Sequence, residues 1–242
     1  MPRPRAPARA VAVDVALVLA IDVSGSISNR RLSLQLQGYI DAFRAPVLAR
    51  AVRGGPEGRI AATVVEWSDF GHQDQTVPWH VIADARGAQG FAVAIEQSTL
   101  SGPGWTSLSG AIGFSAALLR RDGFRARRRV VDISGDGVNN DGPPVTAARD
   151  AAVAAGITIN GLPILEVDPS LADYYRRNVI GGPDAFVEVA RTIDNFGAAV
   201  LRKLLVEVAG AAPPRSRISP LAAAVVPPAW PNRTRRPAGS RR

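Results

Sequence analysis

Ile21-Asp22-Val23-Ser24-Gly25-Ser26 closes an unbroken apolar run, Val15-Ala16-Leu17-Val18-Leu19-Ala20-Ile21. That run has no polar alternation, so it reads as a strand covered on both faces, as in a central parallel sheet. The polar cluster then stands at the carboxyl end of the strand. Open α/β sheets bind ligands there, where the strand order reverses. One carboxylate and two hydroxyls at i, i+2 and i+4 suit a tight loop around a hard cation, which takes oxygen ligands. One such residue alone would read as a helix cap; the triplet at this place reads as a cation loop.

Working outward, strands and helices alternate. Strands are expected at 13–22, 59–67, 75–82, 130–134, 157–165 and 185–189. Pro78 makes the third an edge strand. Helices are expected at 29–48, capped by Ser28 and ended or bent by Pro46, then at 84–99, 107–120, 145–155, 174–180 and 194–208. Loops are expected at 54–56, 101–104 and 135–144, and no internal repeat is present. The alternation predicts an α/β fold: a doubly wound, mostly parallel sheet with helices on both faces and one antiparallel edge strand. A Pro/Arg arm at 1–11 and a Pro/Ala/Arg-rich tail at 210–242 are expected to be disordered around a domain at 12–209.

The chain has 242 residues and a net charge of +8. Arg3, Arg5 and Arg9 lie in the first eleven residues. Arg215, Arg217, Arg233, Arg235, Arg236, Arg241 and Arg242 lie beyond residue 210, and neither segment holds an acid. The rest carries 19 basic against 21 acidic residues, so the basic character belongs to the ends. Such ends touch phosphates or anionic surfaces weakly, and no specific nucleic-acid partner follows from them. The absence of cysteine excludes disulfides, thiolate zinc sites and a cysteine nucleophile. Two histidines, His72 and His80, exclude a three-histidine metal site. No apolar run reaches the ~18 residues of a membrane span. The basic start followed by apolar residues faintly mimics a secretion signal. Cleavage after it would remove the first strand and Asp22, so it reads as strand.

Two later segments complete a site. Trp105-Thr106-Ser107-Leu108 closes a Gly/Pro loop and opens a helix, and Ser134-Gly135-Asp136-Gly137 follows the strand from Val130. If that strand neighbours the first, Asp22 and Asp136 face one crevice, with Thr106 completing it. Three hydroxyls and two carboxylates select magnesium, manganese or calcium over zinc or copper.

Asp22-Val-Ser24-Gly-Ser26, then Thr106 before Ser107-Leu108, then Asp136-Gly137, resembles a von Willebrand factor type A (vWA) domain. The stretches 105–112 and 133–140 add a particular likeness to an uncharacterised bacterial family of that fold. Trp105 stands where many relatives have Gly; its ring either shapes the ligand-facing rim or packs locally, and packing is the reading preferred. The resemblance spans roughly residues 12–208. It implies a metal-ion-dependent adhesion site, with Ser24, Ser26 and Thr106 as hydroxyl ligands. Asp22 and Asp136 would act directly or through water. It also implies a Mg2+-type divalent cation, and a partner protein that supplies a carboxylate to it. That makes a binding module rather than an enzyme; the compartment stays open, since no clear signal segment stands in this chain, which reads as cytoplasmic as written, while the resemblance allows export. The competing enzyme reading is a magnesium-dependent hydrolase or phosphatase with Asp22 as nucleophile and Asp136 on the metal. Ser24, where a second carboxylate would serve as general acid, and the absence of a phosphate loop speak against it. Asp132 reads as a buried polar residue facing a helix. Arg30 and Arg31 read as an exposed helix face, 125–129 as a solvated basic run, 139–141 as turn residues, and Ser107 and Ser109 as helix-start residues.

Overall fold

The computed structural model describes residues 10–98 and 104–210. The disorder expected of residues 1–9 and 211–242, and positions 101–103 of the Gly/Pro loop, lie outside the described residues. Five strands form one sheet: β1 (Ala12–Asp22), β2 (Ile60–Trp67), β3 (Gln73–Ile82), β4 (Arg125–Gly135) and β5 (Ile157–Pro163). Their order is β3-β2-β1-β4-β5. β1 pairs in parallel with β2 and β4, β4 with β5, and only β3 runs antiparallel, as an edge.

Side-chain alternation along β1 feeds two cores. Leu17, Leu19 and Ile21 join α1 (Asn29–Arg44), α2 (Pro46–Arg53), α3 (Ala85–Gln97) and α7 (Phe196–Ala209). Ala16, Val18 and Ala20 join α4 (Leu108–Arg120), α5 (Val145–Ala154) and α6 (Leu171–Tyr174), which runs on into a π-helical turn at Tyr175–Val179. This is a doubly wound α/β fold. The strand order reverses between β1 and β4, which sets Asp22 and Asp136 on either side of the switch point.

Several local expectations change. The first helix breaks at Ala45, because Pro46 starts α2 as its first residue rather than ending α1. The basic run 125–129 is not a loop: it is the first half of β4, paired with the start of β1. Residues 185–189 form no strand and meet β5 through an isolated bridge at Val187 and the Phe186 N–H, which donates to Asn160 Oδ1. Gly210 belongs to the fold, capping α7 with φ 65°. Among the described residues no helix is long and apolar enough to cross a membrane.

One polar group fastens α7 to the sheet. Lys203 Nζ lies 2.7 Å from Asp132 Oδ1 on β4 and 2.5 Å from Glu207 Oε1 one turn along α7, and all three side chains are buried. Asn160 of β5 donates to Glu207 Oε1 at 2.9 Å, and the ammonium stands 5.2 Å from the Phe186 ring centre. Two carboxyls thus share one ammonium out of water. Burial and the neighbouring Glu207 outweigh Lys203 and push the Asp132 carboxyl up to about 7.

Removing the ammonium leaves two buried carboxyls uncompensated, so Lys203→Met should lower stability by about 3–5 kcal/mol in denaturant unfolding. The unfolded chain holds Asp132 at its ordinary 3.8. Folding therefore takes up a proton between about pH 4 and about pH 7, and this carboxyl's contribution to stability falls as pH rises across that window. Asp132→Asn should flatten that slope, and an unchanged slope would locate the pH dependence elsewhere.

Candidate metal centre at the carboxyl edge of the sheet

β1 ends in Asp22 inside the molecule, because the strand is flanked on both edges and covered on both faces. Asp22 is fully buried. Its Oδ1 accepts the Ser24 N–H at 2.8 Å, and its Oδ2 has no hydrogen-bond partner. Burial pushes the carboxyl up to about 7 against the lowering effect of the Ser24 bonds.

The loop after β1 turns back over this carboxyl. Ser24 Oγ lies 3.3 Å from Ser26 Oγ, and Ser26 Oγ donates to Asp136 Oδ1 at 2.7 Å. Thr106 Oγ1 reaches Ser24 Oγ at 3.5 Å. The Gly25 N–H donates to the Gly104 carbonyl at 2.9 Å, joining the first loop to the second. The structure thus brings Asp22, Ser24, Ser26, Thr106 and Asp136 together from three distant segments. Their oxygens are a hard-donor set. Among the described residues no group of three or more His, Cys, Asp and Glu could hold a metal. Any ion here therefore rests largely on hydroxyls. An unpartnered buried carboxylate oxygen beside those hydroxyls fits a divalent cation of the magnesium, manganese or calcium kind.

Asparagines fix the second loop. Thr106 N–H donates to Asn140 Oδ1 at 2.8 Å, and Asn140 N–H returns a bond to the Thr106 carbonyl at 2.9 Å. The Asn139 side chain accepts from the Ser109 N–H at 2.9 Å. Ser107 caps α4 through Gly110 N–H and donates to the Asp141 carbonyl. The turn residues 139–141 are thus the frame that holds Thr106, a role their sequence as turn formers did not reveal.

Arg31 is the main residue missed. It is not an exposed helix-face residue: its side chain is mostly covered, and Nη1 lies 2.8 Å from Asp136 Oδ2 while Nη2 lies 3.2 Å from Glu166 Oε2. Helical spacing from the Ser28 cap was the one available signal, since the first turn of α1 faces the loop. Tyr175 was also missed. Its hydroxyl is buried without a partner, and burial, then Asp22 and Asp136, push its phenol well above the ordinary value. Trp105 is a correction: it is 67% exposed, not packed. Phe70, Val138 and Val167 are exposed on neighbouring loops of the same edge.

A family model described as "Protein of unknown function (DUF1194)" matches residues 12–212. No curated protein matches the chain. Solved structures do. Proximal thread matrix protein 1 from the mussel byssus, with zinc in its MIDAS motif, is 15% identical over 84% of this chain and 50% of that one, at a TM-score of 0.56. A von Willebrand factor type A structure from Catenulispora acidiphila is 15% identical over 82% of this chain and 43% of that one, at 0.56. The vWF domain of the type V pili tip protein Mfa5 from Porphyromonas gingivalis is 14% identical over 82% and 97%, at 0.53. The chain thus spans about half of the mussel protein and nearly all of the pilus-tip domain. At these identities the likeness establishes the fold, which is that of a vWA domain.

Gly135 separates the site from its backing. A Cβ there falls 2.7 Å from Asp22 Oδ2, 3.0 Å from the Tyr175 hydroxyl and 3.2 Å from Trp67 Cζ2. Gly135→Ala should cost about 1–3 kcal/mol in thermal unfolding and alter the near-ultraviolet signal of buried Trp67. A variant as stable as the parent would show that the carboxyl is not held in place.

Proposed function

Because the chain belongs to the family described as "Protein of unknown function (DUF1194)" and carries the vWA fold, we propose that it is a non-enzymatic, divalent-metal-dependent protein-binding module. The observation that carries this reading is the meeting of three loops: Ser26 on Asp136 at 2.7 Å, Thr106 on Ser24 at 3.5 Å, and an unpartnered Asp22 Oδ2 beneath them. Ser24, Ser26 and Thr106 would hold the ion with Asp22 and Asp136, and magnesium suits that donor set best. A hydroxyl-rich shell leaves a divalent ion under-neutralised, and the ion when bound offers a strong contact to a carboxylate. The partner is accordingly a protein presenting Asp or Glu. Exposed Phe70, Trp105, Val138 and Val167 on the surrounding loops supply apolar surface for the rest of that contact.

The hydrolase reading loses support from the same geometry. Asp22 is fully buried and one of its oxygens is engaged by the Ser24 amide, whereas a carboxylate nucleophile must reach substrate. The pilus-tip domain among the structural relatives supports a place outside the cytoplasm for this module.

Calorimetric titration of the full chain with Mg2+ and Mn2+ should show one cation site. Asp22→Ala and Thr106→Ala should each weaken it by about 10–100-fold while the far-ultraviolet spectrum stays native. Absence of any saturable cation binding by the folded chain would end this reading. Arg31 places a positive charge against Asp136, so Arg31→Gln should tighten the cation by about threefold or more. Weaker binding in that variant would instead assign Arg31 to holding Asp136 in position.

A further inference from the structure

The described residues are electrically two-ended, although their charges nearly cancel. The edge that carries the candidate metal centre holds Asp22, Asp69, Asp136, Asp141, Glu166 and Asp168 against Arg30, Arg31 and Arg191. The opposite edge is formed by strand starts and helix ends. There Arg53, Arg59, Arg120, Arg121 and Arg125 are exposed, and none forms an ion pair among the described residues. Three of the acids at this end are withdrawn. Asp14 is buried, the Asp122 side chain is 3% exposed on Arg129, and Glu57 is held by Arg127 at 3.0 Å. Asp84, which caps α3, Asp41 in the last turn of α1, and Asp184 remain exposed. Arginines at the ends of α2 and α4 answer the negative ends of those helix dipoles. Arg59 and Arg125 stand at strand starts and have no such role.

Two cavities of about 160 and 430 Å³ lie on either side of Arg127 and Arg128 and share Gly210 in their walls. Both ends of the described chain also leave from this pole. Val11 accepts the Arg125 N–H at 2.9 Å, and Gly210 sits beside the Arg128 guanidinium. Beyond those points the sequence carries ten more arginines and no acid.

We propose that this basic pole docks on an anionic lipid surface, a function independent of the metal centre. Charge complementarity gives the anion. The composition of 211–242 gives the lipid: Ile218, Leu221, Val225, Val226 and Trp230 lie between Arg217 and Arg233. Apolar and indole side chains partition into the headgroup boundary while flanking arginines meet phosphates. Among the described residues the pole is made of strand starts and helix ends rather than of one helix face that could lie in a nucleic-acid groove. Docked this way, the molecule turns its metal-centre edge away from the surface.

The test is co-sedimentation of the full chain with phosphatidylcholine vesicles containing about 30 mol % phosphatidylglycerol, against pure phosphatidylcholine vesicles and a short DNA duplex. Binding is expected to the anionic vesicles only, and to weaken about tenfold or more between about 0.05 and 0.5 M salt. The triple variant R53Q, R121Q and R125Q, checked for an unchanged melting midpoint, should bind them roughly tenfold or more weakly. Salt dependence of the unmodified chain decides the matter if that variant is unstable. Failure to bind anionic vesicles, equal binding to neutral ones, tighter binding to the duplex, or a folded triple variant that binds like the parent would each overturn the proposal. None of these outcomes bears on cation affinity, so the two readings stand or fall separately.

Discussion

A carboxylate sealed from water at the end of the central strand is the constraint around which this molecule is arranged. β1 has neighbours on both edges and a helical layer on each face, so its last residue, Asp22, has no route to solvent. One oxygen is satisfied by the backbone of Ser24 and the other is not. An ionised carboxyl in that position is costly unless it is compensated by a proton or a cation. The loops above it answer with oxygens rather than with basic groups. Among the described residues only Arg31 approaches, and it divides its charge between Asp136 and Glu166.

The same strand face that leads to Asp136 also carries the polar fastening of α7. Asp132 and Ser134 alternate toward one side of β4, as the period of two requires, and Asp136 follows directly past its end. Asp132 meets Lys203, and Ser134 meets the Tyr39 hydroxyl at 3.3 Å. Tyr39 packs edge-on to Phe196 at the start of α7, 5.6 Å between ring centres. One line of side chains therefore runs from the middle of the sheet to the loop that presents Asp136. The buried ionic group adds little net stability over an apolar substitute, but it permits one alignment of α7 on the sheet, since any slip strands a charge.

Much of this was legible in the sequence because it rests on local pattern. The apolar run at 15–21 announced a buried strand, the Pro in β3 announced an edge, and each segment of the loop cluster follows a strand or opens a helix. What escaped depends on distance in the chain. Arg31 is unremarkable until β5 brings Glu166 near it, and Tyr175 is one more aromatic until the π-helical turn aims it at Gly135. The arginines at 125–129 looked like a solvated run because charge outweighed β-propensity; pairing with β1 overrode that. The segment 185–189 had strand composition but makes a single isolated bridge to β5, where the sheet ends. The two-ended charge was hidden for a different reason: a sum over residues cannot show that acids and bases gather at opposite poles.

Lys203 is the only lysine in the sequence, and it is wholly enclosed. Every other cationic side chain, apart from the histidines, is an arginine. An amine-directed reagent thus finds no side-chain target while α7 lies on the sheet, and only a terminal amine remains to be acylated. Acylation at 203 would register each excursion in which that layer lifts, so the molecule contains a built-in chemical counter of its own breathing.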